Sequence, residues 1–181
     1  MKLFAAITIM MGFAIGSMAQ STDNDFIVGK AEVLQGINVT GLTALDFGRV
    51  SPGLAKTISL TNVATGGQVG EGTQTTGVFT VSASSGSNVQ IQFTTLPANL
   101  VNGVNNLPIG TYTAGYGIAT PFAGTTFVPA TGTQVASGDF PLNDITGANA
   151  IYVFIGGTVT PGSTQATGNY AANITLTATY N

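Results

Sequence analysis

Seven acidic and four basic side chains, with no histidine and no cysteine, carry most of the ionisable chemistry of this 181-residue chain. Without His or Cys the commonest general base, thiolate nucleophiles and most zinc sites are missing. Paired carboxylates remain, and Asp23/Asp25, Asp46 and Asp139/Asp144 are the close candidates. Two carboxylates can hydrolyse glycosides on a β-scaffold, but such sites use an aromatic-lined cleft. This chain has no Trp, and most of its 10 Phe and 5 Tyr are needed for a core. A serine nucleophile would need Lys30 or Lys56 as its base, and neither stands in a recognisable motif. Asp23-Asn24-Asp25 and the stretch from Asp139 to Asp144, with Asn143, offer oxygen ligands of the kind calcium prefers. Neither completes a ligand loop, and both read as solvated turn residues. Asn38-Val-Thr40 and Asn173-Ile-Thr175 match the glycosylation sequon, but both fall in expected strands and read as chance. The expectation is a non-enzymatic protein with no catalytic residues, no cofactor and no metal.

The clearest structural signal lies at the end of the chain. Tyr170, Ala172, Ile174, Leu176, Ala178 and Tyr180 occupy alternate positions after Gly168, with Asn, Thr or small residues between them. Period-two alternation of this length predicts a β-strand with one face in a core and the other in water. The layout, from an opening glycine to a penultimate tyrosine, resembles the C-terminal signature of bacterial fimbrial subunits assembled by the chaperone–usher route. In those proteins the strand pairs first with a chaperone and then beside a strand donated by the next subunit. The closing strand of a self-sufficient sandwich would show the same pattern.

At the other end, Lys2 precedes an apolar run from Leu3 to Ile15 and the small residues Ser17 and Ala19. This is the pattern of a secretory signal peptide cleaved after Ala19, and the run is shorter than the roughly twenty residues a spanning helix needs. Export through the periplasm to the cell surface or medium is expected, without direct membrane insertion. The remaining chain of about 160 residues suits one domain with a sizeable core, expected over residues 31–181 behind an extension at 20–30. Charged residues are only 6 % of the chain, against a usual level of about 25 %. Few cations and a net negative charge exclude nucleic acid and anionic membrane as partners. With no cysteine, stability must come from packing, hydrogen bonds or a neighbouring subunit.

Between the ends, short alternating runs are separated by Gly, Ser and Thr turns. Ala31 to Val39, Thr57 to Thr61, Val78 to Ala83, Val89 to Phe93 and Tyr112 to Ile118 predict strands, with Phe79 and Val81 inward. Ile151 to Ile155 is apolar on both faces, as a central strand would be, and Gly156-Gly157 should end or bulge it. Thr65 to Thr76 reads as a flexible hairpin end or loop, and Thr120 to Thr146 as a long excursion with one edge strand. Together these predict an all-β, immunoglobulin-like (pilin-like) antiparallel sandwich of about seven to nine strands.

Several segments resemble the bacterial "domain of unknown function 4402" family of exported β-sandwich proteins. Leu45-Asp46-Phe47-Gly48-Arg49-Val50-Ser51-Pro52-Gly53 is similar to its early L-x-F-G element. Gly77 to Ala83 followed by Val89-Gln90-Ile91 is similar to its central hairpin. Ile155-Gly156-Gly157-Thr158-Val159 and Gly168-Asn169-Tyr170 are similar to its closing blocks. The resemblance implies surface structure or adhesion and carries no catalytic residues. On physical grounds Phe47 should plug the core where the first strand leaves the sandwich. Gly48 should permit the turn that follows, and Gly156-Gly157 a close backbone approach.

The leading expectation is a structural or adhesive subunit of a cell-surface filament, joined by strand complementation with like subunits. A periplasmic chaperone and an outer-membrane usher would be its assembly partners. The donor candidate is Gln20 to Val33, where Ile27, Gly29, Ala31 and Val33 alternate. Asp23, Asp25, Lys30 and Glu32 make that strand short and charged, and the same residues could instead begin the protein's own first strand. The alternative is a self-contained surface module binding carbohydrate or matrix polymer. It would use the 65–76 and 120–146 loops, with Tyr116, Phe122 and Phe127 as stacking platforms.

Overall fold

Ile151, Val153 and Ile155 lie on one face of a strand and Phe154 on the other, and all four are buried. That strand is the centre of an all-β fold. The computed structural model describes residues 28–67, 72–84, 89–129, 131, 134–135 and 150–180. Its strands in chain order are β1 (Asn38–Thr43), β2 (Lys56–Ile58), β3 (Ala64–Gly66), β4 (Gly77–Ser82), β5 (Val89–Thr95), β6 (Asn99–Asn102), β7 (Asn105–Gly117), β8 (Thr125–Phe127), β9 (Gln134–Val135), β10 (Ala150–Val159) and β11 (Thr175–Tyr180). Seven of these have four residues or more, and the rest are short: β3, β8 and β9 lie at sheet edges and β2 between β10 and β3.

All pairings are antiparallel. β10 pairs with β7 along one edge; along the other it pairs with β4 through its first half and β2 through its second. β1 extends this sheet beyond β4, β3 beyond β2, and β6 and β8 flank β7, giving eight strands. A second sheet of three strands runs in the order β11-β5-β9. The main core lies between them, with Val81, Ile151, Val153, Ile155, Ala114 and Tyr116 from the large sheet meeting Val89, Ile91, Phe93 and Leu176 from the small one. This is a β-sandwich-like arrangement. A second cluster of Phe47, Ile58, Leu107, Ile109 and Val159 continues the interior. On the outer face Leu60, Val78 and Phe154 form a third, capped by Phe122 at 5.1 Å from the Phe154 ring.

Several boundaries differ from the sequence expectation, each for a physical reason. The first strand starts at Asn38, not in the β-prone run from Ala31, and the compact unit begins at Val33. Gly29, Ala31 and Val33 are exposed and outside any strand, so these residues do not form the protein's own first strand. Ile27 and the expected signal peptide lie outside the described residues. The Thr57 to Thr61 run stops at Ile58, because Asn62 takes a positive φ of 61° and turns the chain into β3. Ile118 lies past β7 and is exposed. Gly156-Gly157 bulges β10 without ending it; the register against β7 shifts between Gly156 and Thr158, and the strand runs on to Val159. The 120–146 excursion holds two short strands, β8 and β9, and most of the remainder lies outside the described residues.

The last strand is also shorter than its alternation. Only Thr175–Tyr180 is strand, paired with β5, and pairing resumes at Ala171 opposite Val101. Between these, the opposing segment passes from β5 to β6 through Leu96-Pro97-Ala98. Pro97 has no N–H to give, its carbonyl accepts from the Tyr112 hydroxyl at 2.7 Å, and the Ala98 carbonyl accepts from Ile109 N at 3.0 Å. No ladder can form opposite residues 172–174. The burial nevertheless alternates through the whole run, with Tyr170, Ala172, Ile174, Leu176, Ala178 and Tyr180 covered more than the residues between them.

Two tests follow from this packing. A Cβ on Gly156 would fall inside the van der Waals shell of the Ile58 carbonyl and 3.0 Å from Thr113 Oγ1, whereas one on Gly110 would meet nothing within 4 Å. Gly156→Ala should therefore destabilise by about 2–3 kcal/mol in urea unfolding, as overpacking does, and Gly110→Ala by less than about 1 kcal/mol. Burial pushes the Tyr112 hydroxyl from 10.0 up to about 12. The folded state then holds a proton that the unfolded chain has released. Its contribution is complete below pH 10 and lost as pH rises towards 12. Alkaline unfolding curves of Tyr112→Phe should lack that component of the pH dependence.

Candidate functional site

Two chain segments face one another across one side of the sandwich without pairing. The first is β1 and its continuation to Val50; the second is Gln165 to Ile174, leading into β11. Among the described residues β1 pairs only with β4, and β11 only with β5, so each presents an edge that no described strand pairs. The space between them holds two adjoining cavities of about 310 and 650 Å³ that share Leu45, Phe47 and Leu100. The smaller is lined by Gly41 to Leu45 on one wall and Ala172 to Ile174 on the other, over Phe79, Ile109 and Ile155. The larger lies between Leu45 to Val50 and Gln165 to Tyr170, over Leu107 and Val159.

Hydrogen bonds anchor each wall on the side away from this slot. Asp46 and Thr75 exchange backbone bonds of 2.9 Å, and Thr75 Oγ1 donates to Ala44 O at 2.7 Å. Lys56 Nζ donates to Arg49 O at 3.1 Å, from a side chain that is fully buried in the same row as Ile58. On the opposite wall Gln165 Nε2 donates to Asn106 O at 3.0 Å and to the Tyr170 hydroxyl at 2.8 Å. The Tyr170 hydroxyl in turn donates to Ala166 O at 2.7 Å, and Ala171 exchanges bonds with Val101. The slot is closed at its two ends. At one, Gly53 N donates to Gly162 O at 3.0 Å; at the other, the Tyr180 hydroxyl accepts from Ser84 N at 3.0 Å and donates to Gln35 O. Among the described residues, no hydrogen bond crosses between the walls from Gly41 to Val50 and from Gln165 to Ile174.

Glycines let the walls stand where they do. Gly48 takes φ 61° while its N–H bonds Asp46 Oδ1 at 2.7 Å, so the chain turns immediately after the buried Phe47. This is the plug and turn that the sequence predicted. At Gly77 a Cβ would sit 2.6 Å from Ile155 Cγ2 and 3.2 Å from Leu45 Cβ, so only glycine lets Leu45 reach the slot.

The slot's apolar surface is incompletely covered. Leu45, Phe79, Leu100, Tyr170 and Ile174 pack against the core clusters but stay partly exposed, and Gly41 and Thr43 of β1 are exposed. On the arm that precedes the domain, Val28 is 67 % and Val33 94 % exposed.

The sequence-derived site residues distribute unevenly over this geometry. Gly168, Tyr170, Ala172, Ile174 and Phe47 line the slot, as does Gly48. Leu176, Ala178 and Tyr180 lie in β11, which carries the same alternating run into the main core. Gly156 and Gly157 serve the packing of β10 on Ile58 and Tyr112, away from the slot lining. Leu45, Leu100, Ile109 and Gly41 are slot residues that pattern reading missed. Of the proposed stacking rings, Tyr116 is buried, Phe127 packs on Tyr116 and Phe93 at 6.3 Å, and Phe122 covers Phe154. None is a free platform. Asp46 bonds Gly48; Asp23, Asp25, Asp139 and Asp144 lie outside the described residues. Asn38 lies in β1, but Asn173 lies in the gap before β11.

Comparison with family models, curated proteins and solved structures finds no match to this chain.

Leu176 is 6 % exposed on the core face, and Thr177 is exposed on the other. Leu176→Ala should cost about 2–5 kcal/mol and Thr177→Ser less than about 0.5 kcal/mol, both read from urea midpoints. Equal tolerance at the two positions would contradict the alternating assignment of the last strand.

Proposed function

We propose that this protein is a structural subunit of a bacterial surface filament, exported and joined to like subunits by strand complementation. The observation that carries the reading is the unladdered apolar slot between β1 and the C-terminal segment. An extended strand laid there has two unpaired edges for its backbone and partly bare apolar side chains for its knobs. The occupant is the N-terminal arm of a second copy. Its alternating Ile27, Gly29, Ala31 and Val33 supply apolar or small groups on one side, and Val28 and Val33 are uncovered in the single chain. Each well-buried aliphatic knob would contribute roughly 1.5–3 kcal/mol. The resemblances noted in the sequence support the same reading, and by that analogy a periplasmic chaperone and an outer-membrane usher would hold and pass on the unfilled subunit.

The test compares the exported chain with a variant lacking Gln20 to Lys30, by size-exclusion chromatography and electron microscopy of sheared surface material. The full chain should form polymers. The shortened chain should stay folded and monomeric, and a synthetic peptide spanning residues 20–34 should bind it and raise its melting temperature. A full chain that is stable and strictly monomeric under all conditions would overturn the proposal.

A further inference from the structure

Strand complementation leaves open which way the incoming arm runs, and the slot has two unlike ends. Resting on the assembly reading above, we infer that a neighbour's arm enters antiparallel to β1, with its Asp23–Ile27 end at Arg49 and its Val33 end at Thr43 and Ile174.

Size supports this polarity first. The cavity at the Arg49 end holds about 650 Å³ and the one at the Thr43 end about 310 Å³. The arm is likewise graded: Phe26 and Ile27 stand at its N-terminal side, Gly29 and Ala31 follow. In the inferred polarity the large side chains meet the wide cavity, and the small ones meet the narrower slot beside Phe79 and Ile174. The reverse polarity would leave the wide cavity to the arm's small residues and Val33.

Charge is a second and independent argument. Among the described residues lining the two cavities Arg49 is the one cationic side chain; it is exposed on the wall of the wide one, where Asp46 also stands with its Oδ1 accepting from Gly48 N. The arm carries Asp23 and Asp25 just before its apolar run. The inferred polarity brings this acidic pair to Arg49, and the reverse would carry it to the Tyr180 end, where the neighbours are Gln35 and Ser84. Exposed complementary charges steer register more than they add affinity.

The chain has no cysteine, so engineered disulfides report the polarity without background. Single-cysteine variants Ile27→Cys, Val33→Cys, Val50→Cys and Thr43→Cys should be mixed in pairs and oxidised under assembling conditions. Ile27→Cys should link to Val50→Cys, and Val33→Cys to Thr43→Cys, each at least about fivefold above the crossed pairs. Arg49→Glu should weaken the first linkage severalfold, and combining it with Asp23→Lys and Asp25→Lys in the donor should restore it. Both effects should fade at high salt, as screening of an exposed pair requires. Polymers that link preferentially in the crossed pattern, or that link equally in both, would overturn the polarity while leaving assembly intact. Absence of polymer from the cysteine-free chain would overturn the assembly reading itself.

Discussion

The structure depends on the burial of β10 from both sides. Its inward row of Ile151, Val153 and Ile155 meets the small sheet, and Phe154 is sealed under Phe122 on the other face. Such a strand has no solvent-facing side to loosen, and it holds β4 and β2 on one edge and β7 on the other. The bulge at Gly156 lets one strand serve both β4 and β2, since it brings the backbone against the Ile58 carbonyl where no side chain would fit. The positions of Phe47, Leu45 and Gly77, and so the floor of the slot, are set by contact with Ile155, Ile58 and Val159.

The slot is a consequence of where hydrogen bonds are already committed. Segment 44–50 gives its polar groups to Thr75 and Lys56, and segment 165–171 gives its own to Asn106, Ala166 and Val101. With the bonds at Gly53–Gly162 and Tyr180–Gln35 fixing the ends, neither wall can move across to satisfy the other without losing partners. Buried lysine is unusual in a structural role, but here its donation to the Arg49 carbonyl holds the wide end open from beneath. A ladder between the walls would have closed the sandwich; its absence is built in by residues that lie far from the slot mouth.

Much of the fold was legible because alternation reports burial directly. Val89 to Phe93, Val78 to Ser82 and Ile151 to Ile155 became β5, β4 and β10 with the expected inward faces. The last run, Tyr170 to Tyr180, kept its alternating burial where its backbone pairing failed, because the failure was caused by Pro97 on the opposing segment, whose carbonyl accepts from Tyr112 of β7. Register of that kind is a property of two segments and is invisible in either alone. Lys56 was illegible for a different reason: a cation in an inward row breaks the hydrophobic pattern, and its pairing with the Arg49 carbonyl appears only in the folded chain. The slot was legible in half. Gly168 to Ile174 and Phe47 were singled out, while Leu100, Ile109 and Gly41 were not, since it takes the folded sheets to bring positions so distant in sequence to one place.

A chain with no cysteine and few charges has to find stability in buried area. Here part of the apolar interior, at Leu45, Phe79, Leu100 and Ile174, remains partly open to water. Any strand that fills the slot adds burial to the folded state alone, and by linkage raises its stability in proportion to how tightly it binds. The same area cannot be recovered by collapse of the walls, whose hydrogen bonds hold them apart, nor by the unfolded chain, which lacks the slot. Completion by another chain would therefore act on folding and on association at once. In a polymer so joined, each subunit's arm leaves one partner's slot filled and its own slot free for the next, a heterologous contact that propagates and does not close on itself.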